Sequence, residues 1–180
     1  MRLRQLKERY PGRVALAHRA FLLRPEDRTQ QFTEYHLQHR RAAKRLTGLP
    51  FDLPAVGDAY PRSSFSALEA AKWVERHHPE RFEEYDLSLF EAFFAETRDI
   101  SSAAVLADLA QRLDLPGAAL AEALRAGELR EAVWADHREA MEVGVTSIPT
   151  VVMGGYGISG AVPYEEYAQA AERLLGGPTG

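Results

Sequence analysis

The chain has 180 residues, 46% hydrophobic and 27% charged, the composition of a globular domain able to bury a core. Its formal net charge of −4 exerts no general pull on nucleic acid or an anionic membrane surface, and no run approaches the roughly 18 apolar residues of a membrane span. Cysteine is absent, which excludes disulfides, thiolate nucleophiles, Cys-ligated metal and dithiol chemistry by these residues alone. Arg2, Arg4 and Lys7 carry positive charge with no apolar stretch behind them, unlike a secretory leader, so the expected location is cytoplasmic.

Leu3, Leu6 and Tyr10 recur at helical spacing until Pro11-Gly12 stops the run. Arg13 to Phe21 reads as a strand: Val14, Leu16, His18 and Ala20 fall on one face, Ala15, Ala17, Arg19 and Phe21 on the other. Both faces are semi-apolar, as in a strand covered on two sides, and Leu23-Arg24-Pro25-Glu26 breaks it. The middle of the chain is helical. Phe32, Tyr35, His39, Ala42 and Leu46 share a face, with Gly48 and Pro50 ending that helix. Pro50, Pro54, Pro61, Asp52 and Asp58 make Phe51 to Arg62 a loop. A second helix starts near Phe65 behind Ser63 and Ser64, whose ordinary role is capping. Phe82, Tyr85, Leu89, Phe90, Phe93 and Phe94 form an aromatic stripe expected in a core or an interface. Ser101 is the expected N-cap of the next helix, with Ile100 stapled to Val105. Pro116-Gly117 opens a short helix, and Glu128 to Glu142 makes the last of the group, ending at Gly144.

The pattern then changes. Thr150-Val151-Val152-Met153 is a β run, Gly154-Gly155-Tyr156-Gly157 a turn, and Ile158-Ser159 a return strand. Pro163 is placed at the first position of a final helix, with Glu165 and Glu166 in its first turn.

Several motifs carry a functional and an ordinary reading. Gly155-Tyr156-Gly157-Ile158-Ser159-Gly160 matches Gly-x-Gly-x-x-Gly, but a dinucleotide site needs a strand before it, a helix opening within it and an acidic residue about 20 positions on, so a turn is the expected reading. The pairs His36/His39 and His77/His78 lack a convincing third ligand, so no metal is expected. Arg40, Arg41, Lys44 and Arg45 read as a solvated helix face. Ser147 and Ser159 have no His-acid partner at recognisable spacing, which argues against a serine hydrolase. His137 reads as a core histidine, and His18, in the strand, is a candidate substrate contact.

Gly144-Val145-Thr146-Ser147-Ile148-Pro149-Thr150 followed by Ser159-Gly160-Ala161-Val162-Pro163 resembles the DsbA-like thioredoxin proteins, in particular the FrnE branch with its 2-hydroxychromene-2-carboxylate isomerase and kappa-class glutathione transferase relatives. Phe21-Leu22-Leu23-Arg24-Pro25 and Arg98-Asp99-Ile100-Ser101 extend the likeness end to end. The resemblance implies an α/β, thioredoxin-like fold with a large all-helical insertion: residues 1–29 and 143–180 form the thioredoxin-like part and residues 30–142 the insertion. It implies a cis Pro149, with the backbone of Ile148 facing a protein or small thiol/disulfide substrate and Ser147, Ser63 and His18 beside it. Ser63 stands where many relatives have Asn, and Val162 where Gln is common. The family's first strand and Cys-x-x-Cys have no counterpart after Met1, so the expectation is an upstream continuation or a second copy, as a homodimer, covering the gap. The implied activity is protein thiol-disulfide exchange, absent from these residues for want of cysteine. A glutathione-dependent isomerase or transferase and a non-catalytic peptide- or thiol-binding module are the alternatives. The expectation includes no resident cofactor, with glutathione left open, no nucleic acid and no membrane.

Overall fold

A computed structural model describes residues 2–23, 28 and 30–176. The elements run α1 (Arg2–Arg9), β1 (Gln30–Gln31), α2 (Glu34–Thr47), β2 (Ala59–Tyr60), α3 (Phe65–His77), a single 3-10 turn (Pro79–Arg81), α4 (Phe82–Phe94), α5 (Ala103–Arg112), α6 (Gly117–Ala126), α7 (Arg130–Glu142), β3 (Thr150–Met153), β4 (Tyr156–Ser159) and α8 (Tyr164–Leu174). They divide into two compact units, one of Met1–Leu23 with Asp136–Gly180 and one of Arg24–Ala135. Arg24, Pro25 and Glu26, the expected strand break, lie outside the described residues.

In the first unit α1 packs on α8 around buried Leu6, Tyr167, Ala168 and Ala171, with Val14, Val151, Met153 and Ile158 against them. Polar contacts tie α1 and its exit to the C-terminal helix: Tyr10 donates to Glu172 Oε1 at 2.7 Å, and Arg13 donates to the Leu175 carbonyl at 2.9 Å. β3 and β4 form a hairpin whose register pairs Thr150 with Ser159 and Met153 with Tyr156. Its turn is the two residues Gly154 and Gly155, both with positive φ (53° and 86°), tighter than the four-residue turn the sequence predicts. A two-residue hairpin turn of type I′, which follows the strand twist, needs positive φ at both positions, and a Cβ on Gly154 would also overlap the Leu174 side chain. Pro163 occupies the N-cap position of α8 rather than its first helical one, because its ψ of 154° is extended.

The Arg13 to Phe21 segment is not a strand. It joins neither two-stranded sheet. It keeps the alternation of one, with Val14, Leu16 and His18 half-buried, Ala20 and Leu22 buried, and Ala15, Ala17 and Arg19 exposed. Side-chain direction follows from the extended backbone alone, whereas a ladder also needs a neighbouring backbone about 4.8 Å away. Side chains of α7 supply partners instead: the Ala20 N–H donates to Asp136 Oδ2 at 2.8 Å and the Leu22 N–H to His137 Nδ1 at 3.3 Å. His137 is therefore held by the main chain, with its ring 4.9 Å from that of Phe21.

The second unit is built on α3 to α6, with Val74, Tyr85, Ala92, Leu106, Ala110 and Leu120 fully buried. The Tyr85 hydroxyl donates to the Leu106 carbonyl at 3.1 Å, and burial pushes its pKa up. The aromatic stripe divides: Phe82 and Tyr85 are buried, Phe93 and Phe94 are half-buried, and Phe90 is exposed. Ser102, not Ser101, is the N-cap of α5. Ser101 is drawn into a turn by Asp99, whose Oδ1 accepts from both its N–H and its hydroxyl. The expected loop over Phe51 to Arg62 contains a short strand, β2, paired with β1 in the register Gln30 to Tyr60.

Two charged residues are buried, and one of them, Arg40, departs from the sequence reading. Arg40 is buried (5% exposed), while Tyr35 and His39, assigned to the apolar face, are exposed; the Leu46 side chain is outside the described ones. Arg40 donates to the carbonyls of Asp52, Phe93 and Phe94 and lies over the rings of Phe32, Phe93 and Phe94 at 4.8–5.4 Å. It thus caps the C-terminal end of α4, where carbonyl groups lack intrahelical donors and the helix dipole favours a cation. Glu69 on α3 is also buried (3% exposed), with Oε1 lacking a hydrogen-bond partner and Oε2 3.8 Å from Arg130.

Replacing Arg40 with Met is expected to destabilise the protein by about 1.5–3 kcal/mol in urea denaturation, since several carbonyls lose a charged donor. Burial raises the Glu69 pKa, with Arg130 opposing it. The folded state therefore keeps that proton to higher pH than the unfolded chain, and a penalty for the buried carboxylate grows as pH rises out of the ordinary carboxylate range. Glu69→Gln is expected to gain more stability near pH 7 than near pH 4, flattening the pH dependence of the denaturation midpoint between about those two values.

Candidate functional site

The sequence-predicted residues fall in both units. Ser147, Ile148, Pro149 and His18 belong to the first and Ser63 to the second.

In the first unit, just past the end of α7, Gly144 has a φ of 82° that suits the left-handed stop, with Gly144 N–H bonded to the Met141 carbonyl and Val145 N–H to that of Ala140. The chain then runs exposed through Thr146, Ser147, Ile148 and Pro149 before entering β3. The Ile148–Pro149 peptide bond is cis. Thr150 Oγ1 donates to the Ser147 carbonyl at 2.7 Å, and the Gly160 N–H donates to the Pro149 carbonyl at 2.8 Å. Ile148 lies between these two anchored carbonyls. The residue is 49% exposed, and its own N–H and carbonyl have no hydrogen-bond partner among the described residues. A donor and an acceptor on an exposed, anchored backbone can pair with an extended chain in the manner of an added strand. His18 sits half-buried on the inward row of its segment.

In the second unit Ser63 Oγ accepts from the Phe65 N–H at 3.0 Å, so Ser63 does the capping that the sequence shares between it and Ser64; Ser64, at the N-cap position, makes no side-chain cap bond. Ser63 also lines a cleft of about 290 Å³ with Arg62, Ser66, Ser101, Arg130 and Trp134. Arg130 stacks its guanidinium over the Phe65 ring at 5.3 Å. Nothing in the local sequence links Arg130 and Trp134 to Ser63, which lies some seventy residues earlier in the chain. A second cavity, of about 120 Å³, is lined by Phe32, Arg40, Tyr60, Phe93 and Thr97 among others. Thr97 has a positive φ of 51°, uncommon for a β-branched residue, and donates its hydroxyl to Asp52 Oδ2 at 2.6 Å. That bond, with the Leu53 N–H, holds the Asp52 carboxyl below its usual pKa.

The other motifs resolve into local contacts. His36 closes the N-cap of α2 with Thr33 and stacks on Tyr60 at 4.4 Å. His39 Nδ1 contacts the Tyr35 carbonyl, and His77 contacts Glu128. No group of three or more His, Asp or Glu residues able to hold a metal occurs among the described residues. The Gly155 to Gly160 motif covers the hairpin turn, β4 and its exit, with no helix opening inside it.

The profile of the DsbA-like thioredoxin domain matches residues 1–172. The uncharacterised protein YwbO of Bacillus subtilis strain 168 is 27% identical over 129 residues, which cover 68% of this chain and 60% of YwbO. The chain thus spans less than two thirds of the length of that curated relative. Among solved structures, a candidate DsbA oxidoreductase of Streptomyces coelicolor superposes with a TM-score of 0.79 at 24% identity, covering 99% of this chain and 84% of that one. A candidate protein disulfide isomerase of Nitrosomonas europaea gives 0.72 at 19%, covering 97% and 86%. At such identities the two structures establish the fold, thioredoxin-like and mostly helical. With the profile covering nearly the whole length, the chain belongs to the DsbA-like thioredoxin domain family.

Proposed function

We propose that this chain is a DsbA-type thiol-disulfide oxidoreductase homologue that supplies the substrate-binding side of the reaction and not the reacting thiol. The observation that carries this reading is the Ser147–Thr150 loop, where two anchored carbonyls flank an exposed Ile148 whose main-chain groups have no partner among the described residues. An extended peptide or small thiol pairs with Ile148 there, while Val152, 48% exposed on β3, offers an apolar contact beyond it. Ser147 and Pro149 frame the loop, and His18 is a further contact proposed from the family likeness, which separately proposes Ser63 in the second unit as a substrate contact. The Gly144 to Pro163 motif supports the FrnE branch.

Thiol-disulfide exchange proceeds by attack of a thiolate on a disulfide sulfur. These 180 residues contain no cysteine, so they have no group to make that attack. This favours a binding role over turnover by the chain itself.

In an insulin-reduction assay with dithiothreitol, the 180-residue chain is expected to leave the precipitation rate at that of the protein-free control; acceleration beyond it contradicts the reading. Thr150→Val removes the hydroxyl that anchors the Ser147 carbonyl. It is expected to weaken binding of an extended cysteine-containing peptide by about three- to tenfold, as for loss of one ordinary hydrogen bond, measured by calorimetry.

A further inference from the structure

The aromatic stripe of α4 is only partly used by the core. Tyr85, Leu89 and Ala92 are buried in the core of the second unit, whereas Glu83, Leu87, Phe90 and Phe94, spaced four, three and four apart, share another face of the helix. Leu87 is 48% and Phe90 55% exposed. The Phe90 ring lies parallel to that of Phe94 at 6.3 Å, and Phe94 meets Phe51 edge-on at 5.2 Å. These contacts carry the apolar face past the end of α4 onto the segment after α2. The two ends of the face differ in charge. Glu80, Glu83 and Glu84 are exposed around the first turn of α4, where Arg81 pairs with Glu84 at 3.0 Å. At the other end the exposed Lys44 donates to the Phe51 carbonyl at 3.1 Å, and Arg45, next to it in sequence, is exposed as well. Asp52, the acid beside Phe51, is held by the Thr97 hydroxyl and the Leu53 N–H.

We propose that this face is a self-association surface, occupied by the same face of a second copy packed antiparallel about a twofold axis near Phe90. Single exposed apolar side chains are ordinary, but a continuous apolar stripe marks an interaction surface. The distribution of charge selects the occupant. A twofold contact joins one patch to itself. With two α4 helices antiparallel, Glu83 and Glu84 of each copy come opposite Lys44 and Arg45 of the other, and Leu87, Phe90 and Phe94 pack between them. A parallel pairing would set like charge against like. The 13 residues of α4 span about 20 Å, so the contact is smaller than the roughly 800 Å² per partner of a standard interface, and the dissociation constant is expected on the order of 10–100 µM. The proposal is independent of the Ile148 reading, which concerns the first unit.

Sedimentation velocity of the whole chain from about 5 to about 500 µM is expected to show a reversible monomer–dimer equilibrium. Phe90→Ser alters a side chain outside the core and is expected to raise the dissociation constant about tenfold or more, with unchanged circular dichroism. Tyr156→Ser, at an exposed aromatic residue of the first unit, is expected to leave it unchanged. Two charge-reversed variants test the arrangement. Glu83→Lys with Glu84→Lys, and Lys44→Glu with Arg45→Glu, are each expected to weaken self-association about fivefold or more, because each sets like charges opposite one another. An equimolar mixture of the two is expected to regain the affinity of the unaltered chain, since both charged contacts of the mixed dimer again have opposite sign. That recovery also shows that both variants fold. A chain that stays monomeric over the whole range overturns the proposal, as does a dimer whose affinity Phe90→Ser leaves unchanged. A mixture that associates no more tightly than its two components overturns it too, because charge then does not select this partner.

Discussion

The requirement that main-chain polar groups find partners shapes this structure more than any single apolar contact. A buried N–H or carbonyl left without a partner costs about 1–3 kcal/mol, a large share of a stability of about 5–15 kcal/mol. In the first unit, Asp136 and His137 on α7 accept from the N–H groups of Ala20 and Leu22, which belong to a segment outside any sheet. In the second unit, a buried arginine from α2 takes up carbonyls at the end of α4 and in the segment at Asp52. In the loop before β3, Thr150 and Gly160 take the carbonyls of Ser147 and Pro149. At Ile148, between those two carbonyls, the N–H and carbonyl have no partner among the described residues. Its groups are exposed, so leaving them open to water costs little, and a partner from outside can use them.

The sequence announces the parts whose structure is local. The β3–β4 hairpin, α8 and the stop at Gly144 follow from alternation, paired glycines and a left-handed residue, all within a few positions of one another. The segment from Val14 to Leu22 shows the limit of that logic. Alternation predicts which side chains turn inward and does so correctly, but a ladder depends on a neighbour that no local pattern encodes. Arg40 shows the same limit from another direction. It lies in a run with Arg41, Lys44 and Arg45 that reads as a solvated face, and only the arrival of the Phe93 and Phe94 carbonyls, more than fifty residues later in the chain, gives its charge a buried site. Pro163 and Ser101 each miss by one position, since the choice between N-cap and first helical residue turns on ψ or on a competing aspartate.

The candidate site was legible unevenly for the same reason. Ser147, Ile148 and Pro149 stand out because a compact motif surrounds them. Ser63 is identifiable only through the family likeness, and its one defined bond, from the Phe65 N–H, is a capping bond. The charged cleft around it, with Arg130 and Trp134 from α7, is a product of tertiary packing. Membership of the DsbA-like thioredoxin domain family supplies the frame, and the cysteine-free sequence leaves these residues without a thiol for disulfide exchange.

Amide hydrogen exchange at Ile148 measures this most directly, with and without a saturating extended peptide bearing one reduced cysteine, while the free thiol of the peptide is titrated in parallel. Exchange at Ile148 is predicted to slow on binding, with the thiol titre constant. An Ile148 amide that exchanges equally fast in both states, or a thiol titre that falls in the presence of the chain under anaerobic conditions, would contradict it.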